Sequence, residues 1–197
     1  MNDQQVTELI LQSLEHERGG IKVYETALKC VQNAELKEEF EKYHEETERH
    51  EKILMDVCTS MGLDPEEQTP GREIVRDMGM ALVSAMEKAL AAGDPAAAQL
   101  VACECVVIAE TKDHMDWELL GKCAGKLEGD ARKALKEAVE EVEDQEDEHL
   151  YHSKGWCREL WIESLGMRAV LPPPEERKHV KTAIGAARAE AASTKNR

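Results

Sequence analysis

Apolar residues recur at spacings of three, four and seven along most of the chain, the period of one face of an α-helix, and turn signals cut this pattern into five pieces. The first piece predicts a helix, α1, over residues 4–32, with Val6, Ile10, Leu14, Ile21, Tyr24 and Leu28 on one stripe. Asn33-Ala34 is a short turn, so α2, expected over 35–61, should return antiparallel to α1. Its stripe reads Leu36, Phe40, Tyr43, Leu54, Val57 and Met61, and Gly62-Leu63-Asp64-Pro65 stops it. Thr69-Pro70 opens α3, over about 70–92, with Ile74, Met78, Leu82, Met86 and Leu90 on one side and no inward acid. Gly93-Asp94-Pro95 precedes α4, over 96–124, whose broad face holds Leu100, Val101, Val107, Ile108 and Met115. A turn over 125–129 leads to α5, over 130–164, with Leu135, Val139, Val142, Trp156 and Leu160. No stretch shows a strand pattern. The expectation is all-α: α1, α2, α4 and α5 as an antiparallel four-helix bundle, with α3 as an extra crossover helix. Leu171-Pro172-Pro173-Pro174 cannot continue a helix. It divides a bundle domain, residues 1–170, from a Pro-rich linker and basic tail over 171–197.

Each of the four bundle stripes contains residues that do not belong in an apolar core. On α5 the stripe passes through Glu146 and His149, three apart and so neighbours on one face. On α1 it meets Glu17, and on α2 Thr47 and His50 with Glu46 beside them. On α4 it includes Glu104 and His114, with Glu110 at its border. An unpaired buried carboxylate is very costly, so an inward acid implies a cation or a hydrogen-bonding partner.

Register sharpens this. Glu17 and His50 lie equally far from the α1–α2 turn, and Glu110 and Glu146 equally far from the α4–α5 turn, so all four fall near the middle of their helices. Glu104 lies six residues from Glu110, about 9 Å further along the axis, which favours Glu110. Carboxylate oxygens neutralise and bridge hard or borderline cations, and imidazole adds a terminal ligand. Glu46/His50, Glu110/His114 and Glu146/His149 all have the spacing that brings two ligands from one helix to one metal. The candidate ligands are therefore Glu17, Glu46, His50, Glu110, His114, Glu146 and His149. His16, Tyr24, Thr47, Glu104, Glu143 and His152 are supporting or alternative groups. Two other readings stay open: a buried hydrogen-bonded polar layer, or a solvated charge run around 140–148.

Charge narrows the function. The net charge is −16, and from Pro173 onward six Lys/Arg face three Asp/Glu, so the body is more acidic still. That excludes a basic nucleic-acid footprint and suits metal cations. No apolar run reaches the ~20 residues a membrane span needs. The N-terminus lacks a basic-then-apolar leader pattern, so a cytoplasmic location is expected. Six Cys with no Cys-x-x-Cys fit reduced thiols in such a compartment.

The four-helix pattern with Glu146-x-x-His149 resembles the ferritin-like superfamily, whose di-iron members include bacterioferritins and rubrerythrins. The run His44-Glu45-Glu46-Thr47-Glu48-Arg49-His50 and the Gly-Leu-Asp turn after α2 also resemble ferritin-like proteins linked to bacterial stress responses. The resemblance spans residues 4–164. It implies Glu17 from α1, His50 from α2, Glu110 from α4, and Glu146 with His149 from α5 as ligands. On α2 this chain departs from the family: Thr47 stands where the family has Glu, and Glu46 is the nearest substitute. The resemblance further implies two iron or manganese ions and oxygen or peroxide as reactants, in iron oxidation or peroxidase-type chemistry. A non-enzymatic helical stress or interaction protein, with a degenerate or single-metal site, is the alternative. A homo-oligomer, including a storage cage, is compatible with either.

Overall fold

The structure, a computed structural model, describes residues 2–176. It is all-helical: α1 Asp3–Cys30, α2 Ala34–Ser60, α3 Pro70–Ala91, α4 Pro95–Ala124 and α5 Gly129–Ser164, with no strand among the described residues. The basic tail beyond residue 176, including His179, lies outside the described residues. No helix among those described is long and apolar enough to cross a membrane.

The helix starts follow local chemistry. Asn2, Asn33, Thr69 and Asp94 each accept a backbone N–H of the first turn through the side chain, and α3 and α4 carry proline at the first helical positions. The stop after α2 uses Gly62 in the left-handed region, φ 69°.

α1 packs on α2, α3 and α4, while α5 packs on α4 and α2. Helices α1, α2, α5 and α4 thus form a closed ring of neighbours, and α3 lies over the α1/α4 edge. Glu17 faces His50 and Tyr24 faces Phe40, so α1 and α2 run antiparallel. Glu104–Trp161, Glu110–His149 and His114–Asp147 show the same for α4 and α5. Gly19 and Gly79 allow α1 and α3 to touch: a Cβ on Gly79 would stand 3.4 Å from Gly19 Cα.

The core is split in two. One apolar cluster holds Tyr24, Ala27, Phe40, Tyr43, Ala102, Val106 and Trp156. The other holds Ile10, Leu14, Leu54, Val57, Trp117, Leu120, Leu135 and Val142. Each fully buried side chain of this size contributes roughly 1.5–3 kcal/mol relative to exposure. Between the clusters, every helix of the ring passes through a polar stretch.

Two stripes differ from expectation. On α3, Ile74 and Met78 are exposed and Arg72, Val75, Val83 and Met86 are buried. On α4, Ile108 and Met115 are exposed, and Ala98, Ala102, Val106, Ala109, Glu110, Asp113 and Trp117 turn inward. Three helices contact α4, and apolar residues occur nearly all round it, so periodicity does not mark the face that it buries. Arg72 pins the α2–α3 connection: it donates to Glu15 Oε2 at 2.9 Å and to the carbonyls of Pro65 and Glu67 at 2.7 and 2.8 Å.

Residues 171–176 fold back along α5. Glu175, 2% exposed, pairs with Arg158 at 2.8 Å. Gly155 leaves room for this strap, because a Cβ there would meet Glu175 Oε2 at 2.9 Å and Pro173 Cβ at 3.1 Å.

Candidate metal centre

The polar stretches of the four ring helices meet in one layer. Glu17, His50, Glu110, Asp113, Glu146 and His149 are all buried there. His50 Nδ1 lies 3.1 Å from Glu146 Oε1 and 3.9 Å from Glu17 Oε1. His149 Nδ1 lies 3.6 Å from Glu110 Oε2 and 3.7 Å from Glu146 Oε1. The two imidazoles stack with centroids 5.6 Å apart.

Four of these six side chains are oriented from outside the layer. His50 donates from Nε2 to Gln145 Oε1 at 2.7 Å, and His149 from Nε2 to Glu46 Oε2 at 2.9 Å. Both rings therefore present Nδ1 to the interior. Trp117 donates from Nε1 to Glu17 Oε1 at 2.8 Å, and Tyr24 donates its hydroxyl to Glu110 Oε1 at 2.7 Å. One ring nitrogen fixed by a carboxylate or amide oxygen, with the other free, is the arrangement that orients a metal-bound histidine.

The inner atoms have no partners of their own. Glu17 Oε2, His50 Nδ1, Glu110 Oε2, Asp113 Oδ1 and both oxygens of Glu146 are buried without a hydrogen bond. An unsatisfied buried polar group costs about 1–3 kcal/mol, and six in one layer point to a shared occupant. Two sets of three bring their ligand atoms within 4.8 Å of one another: His50, Glu146 and His149, and Glu17, Asp113 and Glu146. Glu146 belongs to both. Carboxylates and imidazoles in this proportion suit divalent iron or manganese.

Charge follows burial and crowding. Burial, then the Asp113 carboxyl, holds Glu17 and Glu146 well above the usual carboxylate range. Asp113 rises for the same reason, with the Glu110 carboxylate as the strongest like charge on it. Burial and the neighbouring His149 lower His50 to about 4. Burial would also lower His149, but the facing Glu110 and Glu46 carboxylates outweigh that and raise it to about 9. The nearby His149 and the Tyr24 hydroxyl bring Glu110 below its ordinary value despite burial.

The structure brings together Glu17, His50, Glu110, Glu146 and His149, with Glu46 at the rim. It does not bring in His114, whose Nε2 lies 2.9 Å from Asp147 Oδ1 on the half-buried flank of α4 and α5. Four residues after Glu110 is more than a full helical turn, which carries the ring past the interior. Glu104 is exposed and accepts from Trp161 Nε1, and Glu143 is exposed. Both therefore lie outside the layer. His16 is buried, but its Nε2 meets the Ala109 carbonyl at 3.0 Å, behind the layer. Thr47 donates to the Tyr43 carbonyl and offers the layer no ligand. Tyr24 stands beside Glu110 as a donor. His152 sits one turn beyond His149 in a separate cluster.

The residue that the sequence pattern missed is Asp113. Its signal was present, since Glu110-x-x-Asp113 repeats the three-residue spacing of Glu146-x-x-His149, but the misplaced α4 face hid it. The chain matches no family model, no curated protein and no solved structure.

Proposed function

We propose that this chain is a ferritin-like antiparallel four-helix bundle, with α3 as the crossover helix. Its central layer binds two iron or manganese ions for iron oxidation or for reduction of oxygen or peroxide. The observation that supports this reading is the set of six buried, partnerless ligand atoms converging from four helices. His50, His149 and Glu146, with Glu110 beside them, would hold one ion, and Glu17, Asp113 and Glu146 the other. Asp113 supplies from α4 the carboxylate that Thr47 withholds on α2.

When bound, such a pair of ions supplies one-electron chemistry toward oxygen species. The chain's own residues set the conditions. Glu46 and Gln145 fix the imidazole rings, while Trp117 and Tyr24 fix Glu17 and Glu110. The apolar clusters above and below exclude water, which strengthens every charge interaction between them. Ion uptake requires the protons on Glu17, Asp113, Glu146 and His149 Nδ1 to leave, so binding and deprotonation are coupled. A mostly apolar cavity of about 220 Å³, lined by His16, Gly20, Leu82 and Ala109, lies between α1, α3 and α4, and no side chain of the layer lines it.

Anaerobic Fe(II) titration tests the reading. Two ions per chain should bind in the layer and be lost together in Glu146→Gln, and in the wild type air should then oxidise the bound iron. If wild-type protein takes up no ion in the layer and its melting temperature ignores metal and chelator, the polar layer only sets helix register, as in a non-enzymatic interaction protein.

A further inference from the structure

A second group of ligating side chains lies outside the central layer, under the strap. His152, on α5, is 6% exposed. Its Nδ1 is 3.3 Å from Glu39 Oε1 on α2 and 3.3 Å from Glu176 Oε1 on the strap. The Tyr43 hydroxyl stands 3.0 Å from the same nitrogen and donates to Glu39 Oε1. Trp156 donates from Nε1 to Glu176 Oε1 at 3.0 Å. One imidazole nitrogen thus faces two carboxylates and a phenol, though it can form only one of these bonds at a time. His152 Nε2 is buried with no partner, so hydrogen bonding leaves the ring half satisfied.

We propose that Glu39, His152 and Glu176 form a second, outer cation site that takes one divalent transition-metal ion and fastens the strap to the bundle. The three ligand atoms lie within 4.8 Å of one another. One nitrogen and two carboxylate oxygens form a donor set for a borderline cation such as Mn²⁺ or Zn²⁺. A cation would neutralise the two carboxylates that converge on one imidazole nitrogen. The site draws on α2, α5 and the strap, so it is complete only when the strap is docked. Docking is provided independently by the Arg158–Glu175 pair and the space over Gly155. The outer site also touches the inner one, because the Tyr43 ring packs on His149 with centroids 4.2 Å apart. An ion held here sits one helical turn of α5 from the central layer.

Counting Mn²⁺ on the full chain tests this, using the loss of the free-ion paramagnetic resonance signal. Glu176→Gln should bind one ion fewer than wild type. Glu39→Gln, which changes α2 and not the strap, should lose the same single ion. Glu146→Gln should lose the inner ions and keep the outer one. Unchanged Mn²⁺ counts in both Glu176→Gln and Glu39→Gln would overturn the proposal. If wild type binds a single ion that disappears in Glu176→Gln but survives in Glu146→Gln, the outer site stands and the inner reading fails.

Discussion

His149 reaches out of the central layer to Glu46, 2.9 Å away, and that bond turns its other nitrogen inward toward Glu110 and Glu146. Glu46 is half-buried and contributes no atom to the partnerless inner set, so it acts on the layer through the ring it orients. Replacing it with alanine should weaken metal binding about 10- to 100-fold. Thermal stability of the metal-free protein should fall by about 1–3 kcal/mol, because His149 Nε2 loses its buried partner. Comparing binding isotherms and melting curves of the variant checks both halves. An unchanged isotherm would show that the ring needs no such support.

Stability of the metal-free protein should fall as pH rises from about 6.5 to 9. His149, raised to about 9 from an ordinary 6.5, stabilises the fold while protonated and loses that contribution across this window. Glu17, Asp113 and Glu146, all raised well above their ordinary values, hold protons that the unfolded chain has already released, so each weakens the fold as pH climbs. His50, lowered to about 4, acts oppositely, but only below 6.5. Melting temperatures across this range, with chelator present, should show the decline. Added Mn²⁺ should reverse it and release protons detectable with a pH indicator.

Glu146→Leu should make the metal-free protein more stable, by about 1–4 kcal/mol, while abolishing ion binding in the layer. The reason is that a buried acid without a partner costs more than an apolar side chain of similar size. Chemical denaturation with and without Mn²⁺ separates the two effects. A destabilised Glu146→Leu would mean that the carboxyl holds the layer together without any cation.

Arg72 is fully buried and its side-chain bonds go to Glu15, Pro65 and Glu67, none of them a ligand of the layer, so its loss should be purely structural. Arg72→Met removes the donor for the Pro65 and Glu67 carbonyls and one of two arginine partners of Glu15. A loss of about 3–5 kcal/mol is expected, with metal stoichiometry unchanged in the protein that remains folded. Urea denaturation and ion counting give the two readouts.

Much of this organisation was legible in the chain. The capping residues and Gly/Pro breaks placed all five helices to within a few residues, since those signals act locally. Glu17, His50, Glu146 and His149 could be read as inward because α1, α2 and α5 carry clear stripes, and the short α1–α2 turn locks Glu17 opposite His50. On α4 no clear stripe marks the buried face. Apolar residues surround that helix, so periodicity chose His114 over Asp113 when packing chose the reverse. Glu176 was beyond reach for another reason: nothing local tells a strap which way to fold.

Periodicity and turn chemistry, properties of neighbouring residues, thus determined by themselves that the protein is helical and that acids and imidazoles interrupt its apolar faces. Only the tertiary structure decided which of those groups meet. Rotation of a helix surrounded on three sides, and docking of a strap, depend on side-chain volumes and ion pairs contributed by distant parts of the chain. The Glu17–Asp113–Glu146 set and the Glu39–His152–Glu176 set each join three separate segments, and no stretch of sequence contains either one.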